Sequence, residues 1–201
     1  MNSSKEHILE VSFRLFLRKT FKEVTMQEIV KETGLSKGAF YHYFDSKEKL
    51  FLEVVKHFSS ETDVDYSVLP REPLAQFYHA YVEYLRNKTI YSFKRDQGDR
   101  DSGFSLNYFV LIFDAMKLFP DFREKMISSS QEEVGIWTDV VSRARTAGEI
   151  ASLMTDEQIA NLFMYTSDGV VMQSTIQGNA EEAPDRLLSV WDGLYKGLKK
   201  D

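Results

Sequence analysis

The sequence predicts an all-α protein in two parts, and three observations carry that expectation. Apolar residues recur at three- and four-residue spacing along most of the 201 positions, the period of an amphipathic helix, and strand-like alternation is absent. The periodic segments are punctuated by cap signals: Ser or Thr followed three residues later by Glu or Gln at the starts, and Gly at several ends. Finally, the stretch Glu61 to Glu72, with Pro70 and several acids and with Pro73 directly after it, separates a short head from a longer body. The predicted division is a three-helix head over 1–46, a linking helix over 47–60, and a larger helical body over 61–201.

In the head, Ser3-Ser4-Lys5-Glu6 has capping-box spacing. Ile8, Val11, Leu15 and Phe16 then place one apolar face on a helix over 3–19. Thr25-Met26-Gln27-Glu28 is a second capping box, flanked by Val24 and Ile29 as a hydrophobic staple, and Gly34 suits the left-handed stop. Only Leu35 separates Gly34 from the next cap, Ser36. Two helices with so short a link cross steeply, as in a helix-turn-helix.

The third helix, Lys37 to Tyr43, has one side anchored by Phe40 and Phe44. Its other side carries Gly38 and His42, flanked by Ala39 and Tyr41. A glycine inside a helix costs up to about 1 kcal/mol against alanine, and makes sense where another surface must come close. The capping-box acid is replaced by Ala39, which leaves the positive end of the helix open to an anion. Tyr41, His42, Tyr43 and Lys47 surround it with donors of the kinds that hold phosphates. Each has an ordinary explanation when taken singly: packing for the tyrosines, a surface imidazole, a solvated ammonium. The ordered set argues for nucleic acid.

The charge balance permits that reading. The net charge is −6, but residues 1–60 carry 10 Lys/Arg against 8 Asp/Glu while the rest carry 15 against 23. A basic head on an acidic body docks head-first on a polyanion. There is no cysteine, which excludes disulfides, thiol catalysis and thiolate zinc sites. No stretch approaches the roughly 18 apolar residues of a membrane span, and MNSSKEHILEV lacks a signal core. A cytoplasmic protein with no membrane partner is expected.

The segment over 5–56 resembles the DNA-binding domain of the TetR family of transcriptional regulators. Thr25, Ile29, Gly34, Ser36, Gly38, Tyr41, Tyr43, Phe44, Lys47 and Leu50 stand in the register of that family's pattern. Leu35 replaces its usual Val, Val30 its usual Ala, and Thr20 a glycine that often ends the first helix; these are packing and capping positions. The resemblance implies that Lys37, Gly38 and Ala39 read base edges. A lysine can donate to guanine and the Ala39 methyl can meet a thymine methyl. Thr25, Ser36, Tyr41, Tyr43 and Lys47 would hold phosphates, with His42 in either role. On this expectation Lys47→Ala weakens binding to all sequences alike and lowers its salt dependence.

The linking helix carries Leu50, Phe51, Val54, Val55 and Phe58. The body then reads as five helices: one opening at Pro73 with the stripe Leu74, Phe77, Tyr78, Tyr81, Val82 and Leu85; 105–118, broken by Pro120; 120–147, ended by Gly148; 155–177, opened by a Thr155/Gln158 capping box; and 184–199. The charged run from Lys94 to Gly103 reads as an exposed loop. The resemblance implies that the body binds a small effector and pairs the subunits through the last two helices, in a four-helix bundle. Phe77, Tyr78, Tyr81, Phe109, Phe113, Met116, Trp137, Met164 and Tyr165 are candidates for an apolar, aromatic pocket, against the alternative that they are simply core. Val171, Met172, Leu187, Trp191, Leu194 and Tyr195 are the candidates for the dimer interface, with Gly169 permitting close approach.

The function expected is that of a homodimeric repressor, released from a near-palindromic operator by an apolar or aromatic ligand. Two rivals differ in class. One is a DNA-bound scaffold of the same fold governed by a protein partner. The other is an enzyme, which the absence of nucleophile, metal and phosphate-loop motifs argues against. His7, His42, His57 and His79 lie scattered, and His79 beside the tyrosines is the one acid/base candidate. No cofactor or metal is expected.

Overall fold

The computed structural model of the chain describes residues 4–60, 63–87 and 106–200. The cap at Ser3 and the run from Lys94 to Gly103 therefore lie outside the described residues. Within them are nine α-helices: α1 (Ser4–Arg18), α2 (Met26–Thr33), α3 (Lys37–Tyr43), α4 (Lys47–Ser60), α5 (Leu74–Arg86), α6 (Leu106–Leu118), α7 (Pro120–Thr146), α8 (Asp156–Ile176) and α9 (Ala183–Leu198). One-turn 3-10 helices stand at Tyr66–Val68 and Ala180–Glu182. Among the described residues no helix is long and apolar enough to cross a membrane.

The chain divides into two compact units, one of residues 1–63 with 104–124, the other of 64–103 with 125–201. The first is built on phenylalanines. Phe13 stacks on Phe58 with ring centroids 3.8 Å apart, and Phe16 meets Phe51 edge-on at 4.9 Å. α1 thereby lies along α4, with Ile8, Val24, Ile29, Phe40, Leu50, Val54 and Val55 filling the space between the head helices. The body boundary at residue 61 does not describe this grouping, because α6 belongs to the head's unit. It buries Tyr108, Leu111 and Ala115 there, and Asn107 donates to the Leu17 carbonyl at the end of α1, 2.6 Å away. An apolar stripe reveals that a helix packs but not on what.

The second unit has an aromatic centre. Trp137 of α7 lies 4.8 Å from Phe77 of α5, and 5.1 Å from both Phe163 of α8 and Trp191 of α9. Four helices thus meet on one indole. α8 opens on Thr155 and Gln158, with both bonds of the capping box formed. Pro73 proves to be the N-cap of α5 and not its first residue. The free N–H groups of Leu74 and Ala75 are taken by the Glu149 carboxylate at 3.0 and 3.3 Å, 75 residues downstream of Leu74. That carboxylate also accepts from the Tyr195 hydroxyl at 3.0 Å. After Gly148 (φ 74°) the chain runs beside the end of α9 through one antiparallel bridge, Ile150 to Lys199.

Candidate nucleic-acid interface

The candidate reading surface is assembled by local signals. Thr25 is extended (φ −111°, ψ 150°) and its hydroxyl oxygen accepts from the Glu28 N–H at 3.2 Å, which starts α2. Glu28 turns mainly to Lys19, whose ammonium holds its carboxyl below the usual carboxylate range, with a lesser contribution from the Thr25 backbone. Gly34 ends the helix in the left-handed region (φ 67°), a conformation strained for any residue with a β-carbon. Ser36 then caps α3, accepting from the Ala39 N–H at 3.3 Å. As caps, Thr25 and Ser36 use oxygen lone pairs and keep their hydroxyl hydrogens to donate elsewhere.

Phe40 and Phe44 are buried and fix α3 from beneath. Everything else on that helix is open: Lys37, Gly38, Ala39, Tyr41, His42 and Tyr43 are all exposed. Tyr43, which the sequence left divided between packing and contact, is 42% exposed, matching Tyr41 at 43%. Lys37 has neither an ion pair nor a hydrogen bond among the described residues. A β-carbon added at Gly38 would meet nothing within 4 Å, and its φ lies outside the left-handed region. Nothing in the fold asks for glycine there.

Lys47 stands apart from this set. Its ammonium donates to the carbonyls of Phe21 and Val24, at 2.7 and 2.8 Å, and sits 4.4 Å from the centroid of the Phe21 ring. The expected free phosphate-binding lysine is thus a half-buried group with two of its three donors turned inward. The partners lie 26 and 23 residues away, which no short motif could reveal. The same turn presents an exposed lysine that the sequence did not single out, Lys22, three residues before Thr25. A cation so close to a predicted N-cap was the available signal.

The body residues separate into groups. Phe77, Tyr78, Tyr81, Trp137 and Met164 are buried in one aromatic cluster, the core alternative for those positions. Phe109, Phe113 and Met116 lie on α6 in the other unit, and Tyr165 is 67% exposed. Near Trp137 a polar knot forms: Tyr66 donates to Glu133, Tyr81 reaches the same oxygen at 3.5 Å, and the Trp137 N–H donates to the Tyr66 hydroxyl at 3.2 Å. Burial and the neighbouring Tyr81 and Glu133 raise the Tyr66 phenol far above its ordinary range. His79 bonds through its ring to Asp192 at 3.1 Å, and Tyr78 donates to the same carboxylate oxygen at 2.8 Å.

Two of the six interface candidates need correcting. Leu187 and Trp191 are fully buried, and the Trp191 N–H donates to the Phe163 carbonyl and the Thr166 hydroxyl of α8, at 3.2 and 3.0 Å. They join α9 to its own unit and offer nothing to a second subunit. Leu194 and Tyr195 are half-buried against the same core, while Val171 and Met172 are half-buried on α8. The exposed apolar residues of the two helices are Tyr165, Ile176 and Val190.

Two capped helices at a glycine turn, with a short second helix that is polar and small outward and phenylalanine-anchored inward, define a helix-turn-helix DNA-binding protein. More particularly, the head of the chain is similar to the DNA-binding domain of the TetR family. Residues 8–54 match the profile of the bacterial regulatory proteins of the tetR family. The uncharacterized HTH-type transcriptional regulator YerO of Bacillus subtilis (strain 168) is 50% identical over 58 residues, 29% of this chain and 20% of that protein. YuxN, from the same strain, is 40% identical over 31% of this chain and 21% of its own length. The match thus spans about a fifth of either relative. Over nearly the whole length, the HTH-type transcriptional repressor DhaR of Mycobacterium sp. (strain GP1) is 22% identical, covering 94% of this chain and 91% of that one. The fold as a whole is shared with the MbdR regulator of Azoarcus sp. CIB, at a TM-score of 0.68 and 20% identity over 98% of this chain and all of that one. The TetR family is one of transcriptional regulators, not of enzymes.

Proposed function

We propose that this chain is a cytoplasmic homodimeric repressor that binds a near-palindromic DNA operator through α3 and leaves it when a small apolar or aromatic ligand enters the body. The observation that carries the DNA reading is the outer side of α3. Lys37 is unpaired among the described residues, Gly38 faces open space and Ala39 is exposed, so the tip suits close approach to base edges. The hydroxyls of Thr25, Ser36, Tyr41 and Tyr43, with His42, form the phosphate-facing rim. A single α3 reads only a few base pairs, and two heads spaced about one DNA turn apart raise affinity by joining half-sites.

Selecting bound duplexes from a random pool tests this directly. A two-fold symmetric sequence is expected, and recovery of no preferred sequence would refute it. In the same selection Lys37→Ala is expected to lose preference at one position of each half-site, worth about 1–3 kcal/mol. An unchanged preference would remove Lys37 from the reading surface.

The dimer is supported by a second apolar stripe on α8. Leu162, Tyr165, Gly169, Met172 and Ile176 recur at three- and four-residue spacing, turned away from buried Phe163 and Ser167. Val190, Gly193 and Gly197 continue the pattern on α9. None of these three glycines has a neighbour within 4 Å of an added β-carbon, which leaves room for another helix. Ile176→Asp places a charge in that seam and is expected to weaken the dimer on the order of a hundredfold or more, with operator affinity falling alongside. Sedimentation velocity reads the first effect; an unshifted dimer would place the interface elsewhere.

The ligand reading follows the family resemblance, and what supports a place for it is the polar knot of Tyr66, Tyr81 and Glu133 beside Trp137, where polar groups converge at the edge of the aromatic core. Screening metabolites for release of the selected DNA tests it.

A further inference from the structure

The turn between α1 and α2 is held together by bonds of its own and is tied to α2 by the Lys19–Glu28 ion pair. It packs through Phe21 and buried Val24, while its hydrogen bonds to α4 come from one side chain. Within the turn, the Thr20 N–H and hydroxyl both donate to the Glu23 carboxylate at 2.8 Å, and the N–H groups of Glu23 and Val24 return to the Thr20 carbonyl at 3.1 and 3.3 Å. These bonds shape the turn but tie it to nothing else. The bonds to α4 come from Lys47, whose ammonium donates to the Phe21 and Val24 carbonyls. The Phe21 ring completes the joint, lying 4.4 Å from that ammonium and 4.7 Å from the Phe51 ring. Val24 immediately precedes Thr25. Lys47 in turn follows the end of α3 by only three intervening residues, Phe44 to Ser46.

One ammonium therefore couples the two edges of the reading surface: the turn that presents Thr25 and the helix that presents Lys37 to Ala39. A compact cation with three donors suits two converging carbonyls, since charge-assisted bonds are stronger than neutral ones. We propose that Lys47 is a positioning residue for DNA binding, setting the Thr25 hydroxyl relative to α3 without itself contacting a phosphate. The proposal rests on the DNA reading of α3 argued above.

The test uses the full chain and the operator recovered by selection, with Lys47→Met, Thr25→Ala and the double variant. Methionine keeps a long unbranched stem beside Phe21 and removes the donors. Well below its unfolding midpoint, Lys47→Met is expected to bind DNA roughly tenfold more weakly. The slope of log K against log salt should stay at the wild-type value, because losing a phosphate contact would lower it by about 0.9. Thr25→Ala should weaken binding less in the Lys47→Met background than in the wild type, a coupling that a lysine contributing only to stability would not produce. A slope lower by about 0.9 with additive effects would overturn the proposal and return Lys47 to direct phosphate contact; so would unchanged affinity.

If Lys47→Met does not fold, Lys47→Arg carries the same cycle, its fork reaching the carbonyls in a different geometry. The expected sign is again weaker binding at constant slope. If the wild-type chain binds no DNA, the DNA reading fails. Hydrogen exchange of the Phe21–Thr25 amides then isolates the turn: faster exchange in the Lys47 variant keeps Lys47 as its fastening, and unchanged exchange removes that as well.

Discussion

Trp191→Ala is expected to destabilise the second unit by about 3–5 kcal/mol, the range for removing a large aromatic from a packed core. Trp191 is fully buried. Its ring centroid lies 5.1 Å from Trp137, 5.4 Å from Tyr81 and 5.5 Å from Phe163, so one substitution strips contacts from three other helices. The indole N–H is the second part of the loss, because it satisfies both the Phe163 carbonyl and the Thr166 hydroxyl. Against a typical total of about 5–15 kcal/mol, the change removes a large share of the stability. Trp191→Phe separates the two contributions: it keeps much of the ring packing and gives up the donor, for an expected loss nearer 1–3 kcal/mol. Urea unfolding followed by fluorescence of the remaining Trp137 reads both. A Trp191→Ala midpoint close to wild type would mean that α9 is not held through this residue. Loss of dimerisation without loss of subunit stability would instead return Trp191 to the interface.

That contrast marks where the sequence stops being informative. The α2–turn–α3 segment was legible because its signals are local: a cap at Thr25, a left-handed stop at Gly34 and a cap at Ser36 act within a few residues of where they stand. The same holds for the Thr155 box at the start of α8. Periodicity also found the apolar stripe of α9, but a stripe does not name its partner. Leu187 and Trp191 belong to the unit's own core, and the exposed residues are Tyr165 and Ile176 on one helix and Val190 on the other. α6 shows the same limit, since the residues it buries reveal no preference between head and body. Contacts across long sequence separation were wholly hidden. Glu149 capping α5 and Lys47 fastening the α1–α2 turn depend on where the fold brings a side chain, and neither follows from its neighbours in sequence. Lys47 is the instructive case, because its place in the family's pattern pointed to phosphate while its surroundings hold it inward.

Gly38→Leu is expected to move stability and DNA binding in opposite directions. In the folded chain the site is exposed, helical and free of neighbours within 4 Å. A leucine there removes glycine's excess freedom in the unfolded chain and meets no clash, so the fold should gain up to about 1 kcal/mol. On DNA the same side chain stands between Lys37 and Ala39 and holds the helix tip off the groove floor. The expected loss is about 2–3 kcal/mol of operator affinity, the worth of one or two base contacts. Binding to unrelated duplex should change little, since phosphates supply most of it. Gly38→Ala should show the same pair of signs in smaller measure. Thermal unfolding and titration of the selected operator, at fixed salt and on the same preparations, decide the matter. If both variants stabilise the chain and leave operator affinity intact, α3 does not enter the groove by its tip. If both destabilise it, the glycine answers to a constraint inside the fold. Only the opposed signs assign the absence of a side chain at Gly38 to a surface outside the protein.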